Sequence, residues 1–176
     1  ASARPDGPPL AVTFRTNVGG KVVDLVTAPT ARGVRLCAAE GPAVHVLSPL
    51  GEEIRTLRTD GEIRVLRWWA EHGLLLAGCV DEKVVAFDLE TGDRRWTFVS
   101  EMDPAVFRAA KDYWFKSAPG HAGIHGLYSG LFFDGKSQAF VGSACTLEVL
   151  DERGALVKRM PVFWGPGSVF QIIDGP

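Results

Sequence analysis

The stretch Ala86-Phe87-Asp88-Leu89-Glu90-Thr91-Gly92-Asp93-Arg94-Arg95-Trp96 decides the fold of this chain. It reads A-x-D-x-x-T-G-x-x-x-W, which predicts a strand, a tight turn and a second strand that carries one large aromatic side chain. Asp88 is placed to accept hydrogen bonds from the backbone amides ahead of it, as in Asx turns. Thr91-Gly92 supplies the positive φ that a hairpin turn requires. A single copy would predict only an ordinary hairpin, so the architecture depends on repetition.

The pattern repeats on both sides of this stretch. Weaker copies have their turns at Gly51 and Gly154, and two further apolar runs precede each copy, so each unit contains four predicted strands. Phe87 follows Leu47 by 40 residues and Leu150 follows Phe87 by 63, which leaves about 20 inserted residues between the second and third units. A period near 40 residues with four strands per unit is typical of a β-propeller blade.

The sequence therefore predicts an all-β chain, a partial β-propeller of about three four-stranded blades with one helical insertion on its top face. The predicted blades span residues of about 20–60, 61–100 and 124–162. Residues 1–9 are interpreted as a leader or linker and residues 10–176 as the partial propeller, with edge strands at 10–18 and 168–173. An open stack of blades exposes apolar faces and strand edges. We therefore expect a fragment, or a chain that needs the remaining blades or a second chain to close its ring.

The central stretch resembles the tryptophan-docking motif of the quinoprotein-type β-propellers, which contain repeats like those of the pyrroloquinoline-quinone enzymes. That family includes quinone-dependent alcohol dehydrogenases and outer-membrane assembly scaffolds. The residues that match the motif are Ala86, Asp88, Thr91, Gly92 and Trp96. The resemblance covers roughly residues 20–160, but only the middle unit matches closely, since the first unit has no T-G-x-x-x-W and the third has no tryptophan. It implies a fold and says little about function.

Composition excludes some classes of function. The formal net charge of −2 gives no electrostatic case for nucleic-acid binding. The arginines between positions 55 and 95 are interleaved with acidic and apolar residues, which is typical of solvated strand faces. No apolar run is long enough to span a membrane.

The three cysteines favour small buried core residues over a disulfide framework. Ala1-Ser2-Ala3 is either the remainder of a secretion signal or an arbitrary start, so localisation stays open, with a lean towards a periplasmic or secreted protein.

The insertion of about residues 100–123 is the candidate functional segment. It joins the outermost strand of one blade to the innermost strand of the next, and such connections cross the top face of a propeller. Loops of this length inside a compact fold tend to be functional or disordered. Asp103-Pro104 predicts a helix start, and apolar residues at helical spacing predict a helix over residues 105–116.

Two histidines follow that predicted helix in the Gly-rich run 120–126. The candidate acid–base residues are His121, His125 and Tyr113, and the candidate ligand-binding residues are Lys116, Trp114 and Trp164. Trp164 lies in the next predicted inter-blade connection, where an aromatic ring would suit stacking on a sugar. The histidines alternatively bond only to the backbone of the loop. A His-x-x-x-His metal site needs a helix that the glycines disfavour, so no metal and no cofactor are predicted.

Three functions remain open. The first is a binding segment of a propeller whose top face holds a protein or a carbohydrate. The second is part of a carbohydrate-active lyase or hydrolase that uses histidine and tyrosine as base and acid. The third, a quinone-dependent dehydrogenase, ranks lower, since the chain has neither the adjacent cysteines nor the carboxylate cluster of those enzymes.

Overall fold

The computed structural model describes residues 15–101, 123–131, 135–143 and 146–161, and within these ranges the chain forms twelve strands and one short 3-10 helix. The first sheet contains β1 Val22–Thr30, β2 Gly33–Glu40, β3 Ala43–Leu47 and β4 Glu53–Arg58. The second contains β5 Ile63–Trp69, β6 Leu74–Cys79, β7 Lys83–Asp88 and β8 Arg94–Val99, with the 3-10 helix Ala70–His72 between β5 and β6. The third contains β9 Gly126–Leu131, β10 Ser137–Ser143, β11 Thr146–Leu150 and β12 Leu156–Pro161.

Each sheet has four antiparallel strands paired in chain order, and the three sheets are separate. This confirms the predicted fold class of an all-β partial propeller with three four-stranded blades. The predicted helix over residues 105–116 lies outside the described residues. So do the predicted leader 1–9 and the edge strand 168–173. Residues 15–18, the described part of the other predicted edge strand, are not in a strand.

The second sheet is buried on both faces, which explains its continuous apolar runs. All six residues of β6 are buried. One face packs against the first sheet in a cluster that includes Val46, Leu75 and Val85. The other face packs against the third sheet in a cluster that includes Leu76, Ala86 and Leu150. Since β-branched and aliphatic side chains on both faces are shielded from water, strict polar alternation is absent, as expected for a sheet between two others.

The first strands of the three sheets lie side by side. The backbone N–H of Leu66 on β5 donates to Asp24 Oδ2 on β1 over 2.7 Å, and Ser129 Oγ on β9 donates to the Trp68 carbonyl over 3.2 Å. The Arg67 guanidinium lies 4.8 Å from the centre of the Tyr128 ring, a distance at which a cation and an aromatic face attract. These contacts place β1, β5 and β9 around a common side of the stack, where the axis of a propeller lies.

The turns between the third and fourth strands of the sheets share one geometry. Gly51, Gly92 and Gly154 have φ of 83°, 86° and 77°. Each donates its backbone N–H to the carbonyl of the residue that opens the turn, over distances of 2.8 to 3.0 Å. In the second and third turns that residue is an aspartate whose Oδ1 accepts two backbone amides. In the first turn Ser48 Oγ accepts the amides of Leu50 and Glu52 instead.

At both junctions, a side chain on the outer strand of one sheet packs on the glycine turn of the following sheet. The Trp96 ring covers Gly154 so closely that an added Cβ there would lie 2.5 Å from Trp96 Cδ2. Trp96 Nε1 also donates to the Glu152 carbonyl over 3.0 Å. Arg55 takes the same position one sheet earlier: its guanidinium lies against Gly92 and donates to the Glu90 carbonyl over 3.3 Å. The prediction that the arginines simply form solvated strand faces is therefore wrong for Arg55, because its side chain connects two sheets.

Two of the three cysteines are described, and both are buried free thiols. Burial raises the pKa of Cys37 to about 12 and that of Cys79 to about 11. Cys145 lies outside the described residues. Within the described ranges, no helix is long and apolar enough to cross a membrane.

Candidate functional site

The described residues that border segment 102–122 lie at the top of the second and third sheets. By the top we mean the end that carries the β4–β5 and β8–β9 connections. The Ser100 backbone N–H donates to the Glu82 carbonyl over 2.8 Å. Its buried hydroxyl donates to Ser143 Oγ on the third sheet over 2.7 Å. The departure point is thus bonded to both sheets.

The chain returns close to the same place. The backbone N–H of Ile124 donates to the Cys79 carbonyl over 2.9 Å, and that of His125 donates to the Gly142 carbonyl over 2.8 Å. Gly123 has φ of 98°, and an added Cβ there would lie 2.7 Å from Val80 Cα. The Ile124 side chain is fully buried between the sheets. Both ends of the insertion are therefore fixed to the β6–β7 turn and the end of β10.

A buried ion pair lies beneath these anchors. Glu148 on β11 is fully buried and faces the second sheet. Its Oε1 accepts Arg159 Nε over 2.8 Å and Arg159 Nη2 over 2.7 Å. The Glu101 backbone N–H, at the start of the insertion, lies 3.4 Å from the same oxygen. Among the residues that the structure describes, Glu148 Oε2 has no hydrogen-bond partner, although buried carboxylate oxygens are normally satisfied.

His125 lies at the inner end of this junction. Arg64, near the start of β5, places Nη1 3.0 Å from both ring nitrogens of His125, which immediately precedes β9. Arg64 lies on an innermost strand and His125 immediately precedes another, so the pair lies beside the axis of the stack. Of the residues predicted as catalytic or ligand-binding, His125 alone is in the described ranges. The others lie outside them: His121, Tyr113, Trp114, Lys116 and Trp164.

The charges around the top are largely paired. Arg94 lies 3.2 Å from Asp60, and Lys83 Nζ lies 2.6 Å from Asp81 Oδ2. The hydrogen bond to Asp81 raises the pKa of Lys83. Glu101 remains the most exposed acid of these pairs, at 75%, with Arg159 Nη2 3.9 Å away. In the described part of the chain, no group of three His, Cys, Asp or Glu side chains is placed to hold a metal ion.

The opposite, bottom end of the same two sheets contains a groove that the sequence did not predict. A cavity of about 460 Å³ lies under Trp96, and a second of about 350 Å³ continues it along the third sheet. His72 and Glu152 line both. The His72 ring meets Trp69 edge to face, with 4.8 Å between ring centres. The groove is bordered by Asp88, Arg95 and Arg153. The available signal in the sequence was Trp69 at the end of a strand, followed by His72 in the turn. A single histidine in a turn does not predict a particular kind of site.

Comparison with known proteins separates the fold from the function. No protein-family model matches the chain. No curated protein matches it either. Among solved structures, the chain is similar to U3-55K and to the RRP9 WD40 repeats, each with a TM-score of 0.64 and 11% sequence identity. The chain is a β-propeller segment. At this identity the likeness shows the fold and nothing more.

The match covers most of this chain but less than half of each neighbouring chain. Each comparison covers 86% of this chain and 42% of the other chain. Both neighbours are propellers, which agrees with the predicted architecture, and at least the second carries WD40 repeats. Neither gives support to the quinoprotein type, whose motif is present here only in the middle sheet.

Proposed function

We propose that this chain is a partner-binding segment of a β-propeller, with a protein partner seated on the top face at the junction of the second and third sheets. The partner contacts the insertion near residues 100–126. Propellers present ligands and partners on loops held by rigid sheets, and long connections are where binding residues concentrate.

The observation that carries the proposal is the double anchoring of the insertion. Ser100 at one end and Ile124 at the other are buried and hydrogen-bonded to fixed parts of the sheets. The ends of the segment are therefore held in place by the fold. A recognition loop positioned in this way needs little ordering of its base when a partner binds, which lowers the entropic cost of association.

Two exposed acidic side chains at the top, one on the β4–β5 connection and one at the start of the insertion, favour a partner with basic residues. Asp60 and Glu101 have side chains exposed by 61% and 75%. Both are paired at the edge of hydrogen-bond reach or beyond it, with nitrogen–oxygen distances of 3.2 and 3.9 Å. Charges in this setting steer encounter and selectivity more than affinity.

The test compares one variant on each end of the sheets. Proteins captured from the native host by the immobilised chain are identified by mass spectrometry, and their capture is then compared for Glu101→Lys at the top and Glu71→Lys at the bottom. We expect Glu101→Lys to abolish specific capture and Glu71→Lys to preserve it, with equal melting temperatures. Capture that survives Glu101→Lys and is lost with Glu71→Lys would place the partner on the wrong end and refute the proposal.

One contact favours the alternative of a carbohydrate-active lyase or hydrolase. The Arg64 guanidinium beside His125 suits a substrate carboxylate held next to a proton-accepting imidazole. Under this hypothesis His121 and Tyr113 complete the acid–base set. Turnover of uronate-containing polysaccharides that is lost in His125→Ala at unchanged stability supports it. The quinone-dependent dehydrogenase hypothesis rests on the docking motif alone, and a quinone absorption band in the purified protein would be its support.

A further inference from the structure

The turns between the first and second strands of the first two sheets are equivalent. Arg32 and His72 lie 40 residues apart, one in each turn. Each directly precedes a glycine of positive φ, Gly33 at 99° and Gly73 at 64°. Both turns lie at the bottom end, next to the following sheet. The two junctions therefore show what different side chains at this position do.

At the first junction this position forms an ion pair between the sheets. Arg32 Nε lies 3.1 Å from Oε2 of Glu90, which is two residues before the turn glycine Gly92. Arg55 Nη2 donates to the Glu90 carbonyl over 3.3 Å. A guanidinium of the first sheet thus occupies the carboxylate of the second, and two arginine side chains span the bottom of this junction.

At the second junction the equivalent pair is open. Here the acid is Glu152, two residues before Gly154, and His72 stands in the place of Arg32. In the described parts of the chain, no hydrogen bond or ion pair joins His72 to Glu152, and both side chains line the cavities of about 460 and 350 Å³. Because an imidazole is shorter than an arginine side chain, the space between the two sheets stays open.

The carboxylate of Glu152 is available to a ligand. Its side chain is 46% exposed, and Arg153 Nε lies 3.8 Å from it, beyond hydrogen-bond distance. The Arg153 side chain is 85% exposed, and an ion pair in such a setting contributes little. The other cation at this groove, Arg95, lies 3.8 Å from Asp88, which offsets its charge.

The wall of the groove suits a guanidinium. Trp96 stands where the first junction has Arg55, so the second junction lacks both arginines of the first, and the indole forms part of the wall of the larger cavity. Aromatic rings attract guanidinium groups, and a carboxylate can accept two hydrogen bonds from one of them. The cavity volume of about 460 Å³ is within the range of ligand sites, about 300–1,000 Å³. The groove is open to solvent, with the exposed side chains of His72, Arg153 and Val157 along it.

We propose that the bottom groove between the second and third sheets binds an arginine side chain of a partner peptide. The guanidinium binds the Glu152 carboxylate beside the Trp96 indole, and the contact repeats the Arg32–Glu90 pair of the first junction. This site lies at the opposite end of the sheets from the top-face partner and does not depend on it.

The test is an NMR titration of the isotope-labelled chain with a short glycine–serine peptide that has one central arginine. The indole N–H signal of Trp96, assigned from its loss in Trp96→Phe, reports binding because this group donates to the Glu152 carbonyl. We expect a saturable shift of that signal. The same peptide with citrulline, which has nearly the same shape and no charge, is expected to bind at least about tenfold more weakly.

Three variants locate the site. We expect Glu152→Gln to weaken binding of the arginine peptide by about tenfold or more, since it removes a charged acceptor. His72→Arg supplies the missing guanidinium from within the chain and is expected to abolish saturable binding with a melting temperature no lower than that of the wild type. Glu71→Gln, an exposed change on the same turn as His72, is the matched control and leaves the dissociation constant unchanged.

Three results would overturn the proposal. The first is a wild-type chain whose Trp96 signal does not shift with the arginine peptide. The second is equal binding of the citrulline peptide, which shows that the groove does not read the charge. The third is binding that persists unchanged in Glu152→Gln or in His72→Arg.

Discussion

At the scale of single residues, the absence of a Cβ at certain glycines allows a side chain of the neighbouring sheet to pack closely on a turn. Gly154 and Gly73 both have positive φ, at 77° and 64°. They differ in surroundings: an added Cβ at Gly154 meets the Trp96 ring, whereas at Gly73 nothing lies within 4 Å. The two positions thus separate the cost of the backbone conformation from the cost of a collision between sheets.

We predict that Gly154→Ala destabilises the chain by about 1–3 kcal/mol more than Gly73→Ala. Both variants share the cost of a left-handed alanine, on the order of 1 kcal/mol, and Gly154→Ala adds the displacement of a packed indole, on the order of 1–3 kcal/mol. Urea denaturation monitored by circular dichroism measures both. Equal losses would show that Trp96 moves aside without cost.

The buried thiols predict a loss of stability at high pH. Burial raises the pKa of Cys37 from 9.0 to about 12 and that of Cys79 from 9.0 to about 11. Below pH 9 both thiols are protonated whether the chain is folded or not. As pH rises from 9 towards 11 or 12, the unfolded chain loses these protons first, so the free energy of unfolding falls.

The pH effect is measured as the slope of the unfolding free energy against pH in a Cys145→Ser background. We expect the slope above pH 9 to become shallower in the Cys37→Ala variant, because the thiol that titrates is gone. We also expect the native chain to react slowly with a thiol reagent at neutral pH. An unchanged slope would mean that other groups cause the effect.

At the scale of elements, the turn is the repeated unit that the sequence predicts best. Gly51, Gly92 and Gly154 are visible as turn residues because few others adopt positive φ. The residue that opens the turn is less obvious, since Ser48 and Asp151 look unlike each other in the sequence. In the structure both accept two backbone amides, and the serine hydroxyl does so over longer distances, 3.2 Å for both amides.

We predict that Ser48→Asp is neutral or stabilising by up to about 1 kcal/mol, because a carboxylate accepts amide hydrogen bonds more strongly than a hydroxyl. Ser48→Ala removes the acceptor and is expected to cost about 1 kcal/mol. Thermal and chemical unfolding of the two variants measure the difference. A Ser48→Asp variant less stable than Ser48→Ala would show that the first turn differs from the other two.

The packing between elements is where sequence reasoning failed. Trp96 was recognisable as an anchor because it is a single large aromatic residue after a turn. Arg55 occupies the same position, yet a charged residue on an outer strand ordinarily predicts solvent. Glu148 shows the same difficulty: one carboxylate in the short run 146–150 reads as a polar face, and only the structure places Arg159 over it. Strand register, which one sequence does not define, decides both cases.

At the scale of the whole molecule, the number and order of the sheets followed from period and turn spacing. In the described ranges, the buried clusters join the second sheet to the first and to the third, its neighbours along the chain. A local repeating pattern was therefore enough to predict the stack. The site did not follow in the same way. Of the predicted site residues, His125 lies within the described ranges, where it meets Arg64. That contact joins residues 61 positions apart, and the sequence carries no signal for such a pairing.

The fixed ends of the 102–122 segment have one more consequence. Since Ser100 and Ile124 are held by the sheets whatever lies between them, the geometry of the gap does not depend on the length that bridges it. Doubling the length of a flexible bridge costs only about 0.6 kcal/mol in closure entropy. We therefore expect that a foreign sequence inserted between Glu101 and Gly123 leaves the unfolding free energy of the three described sheets nearly unchanged.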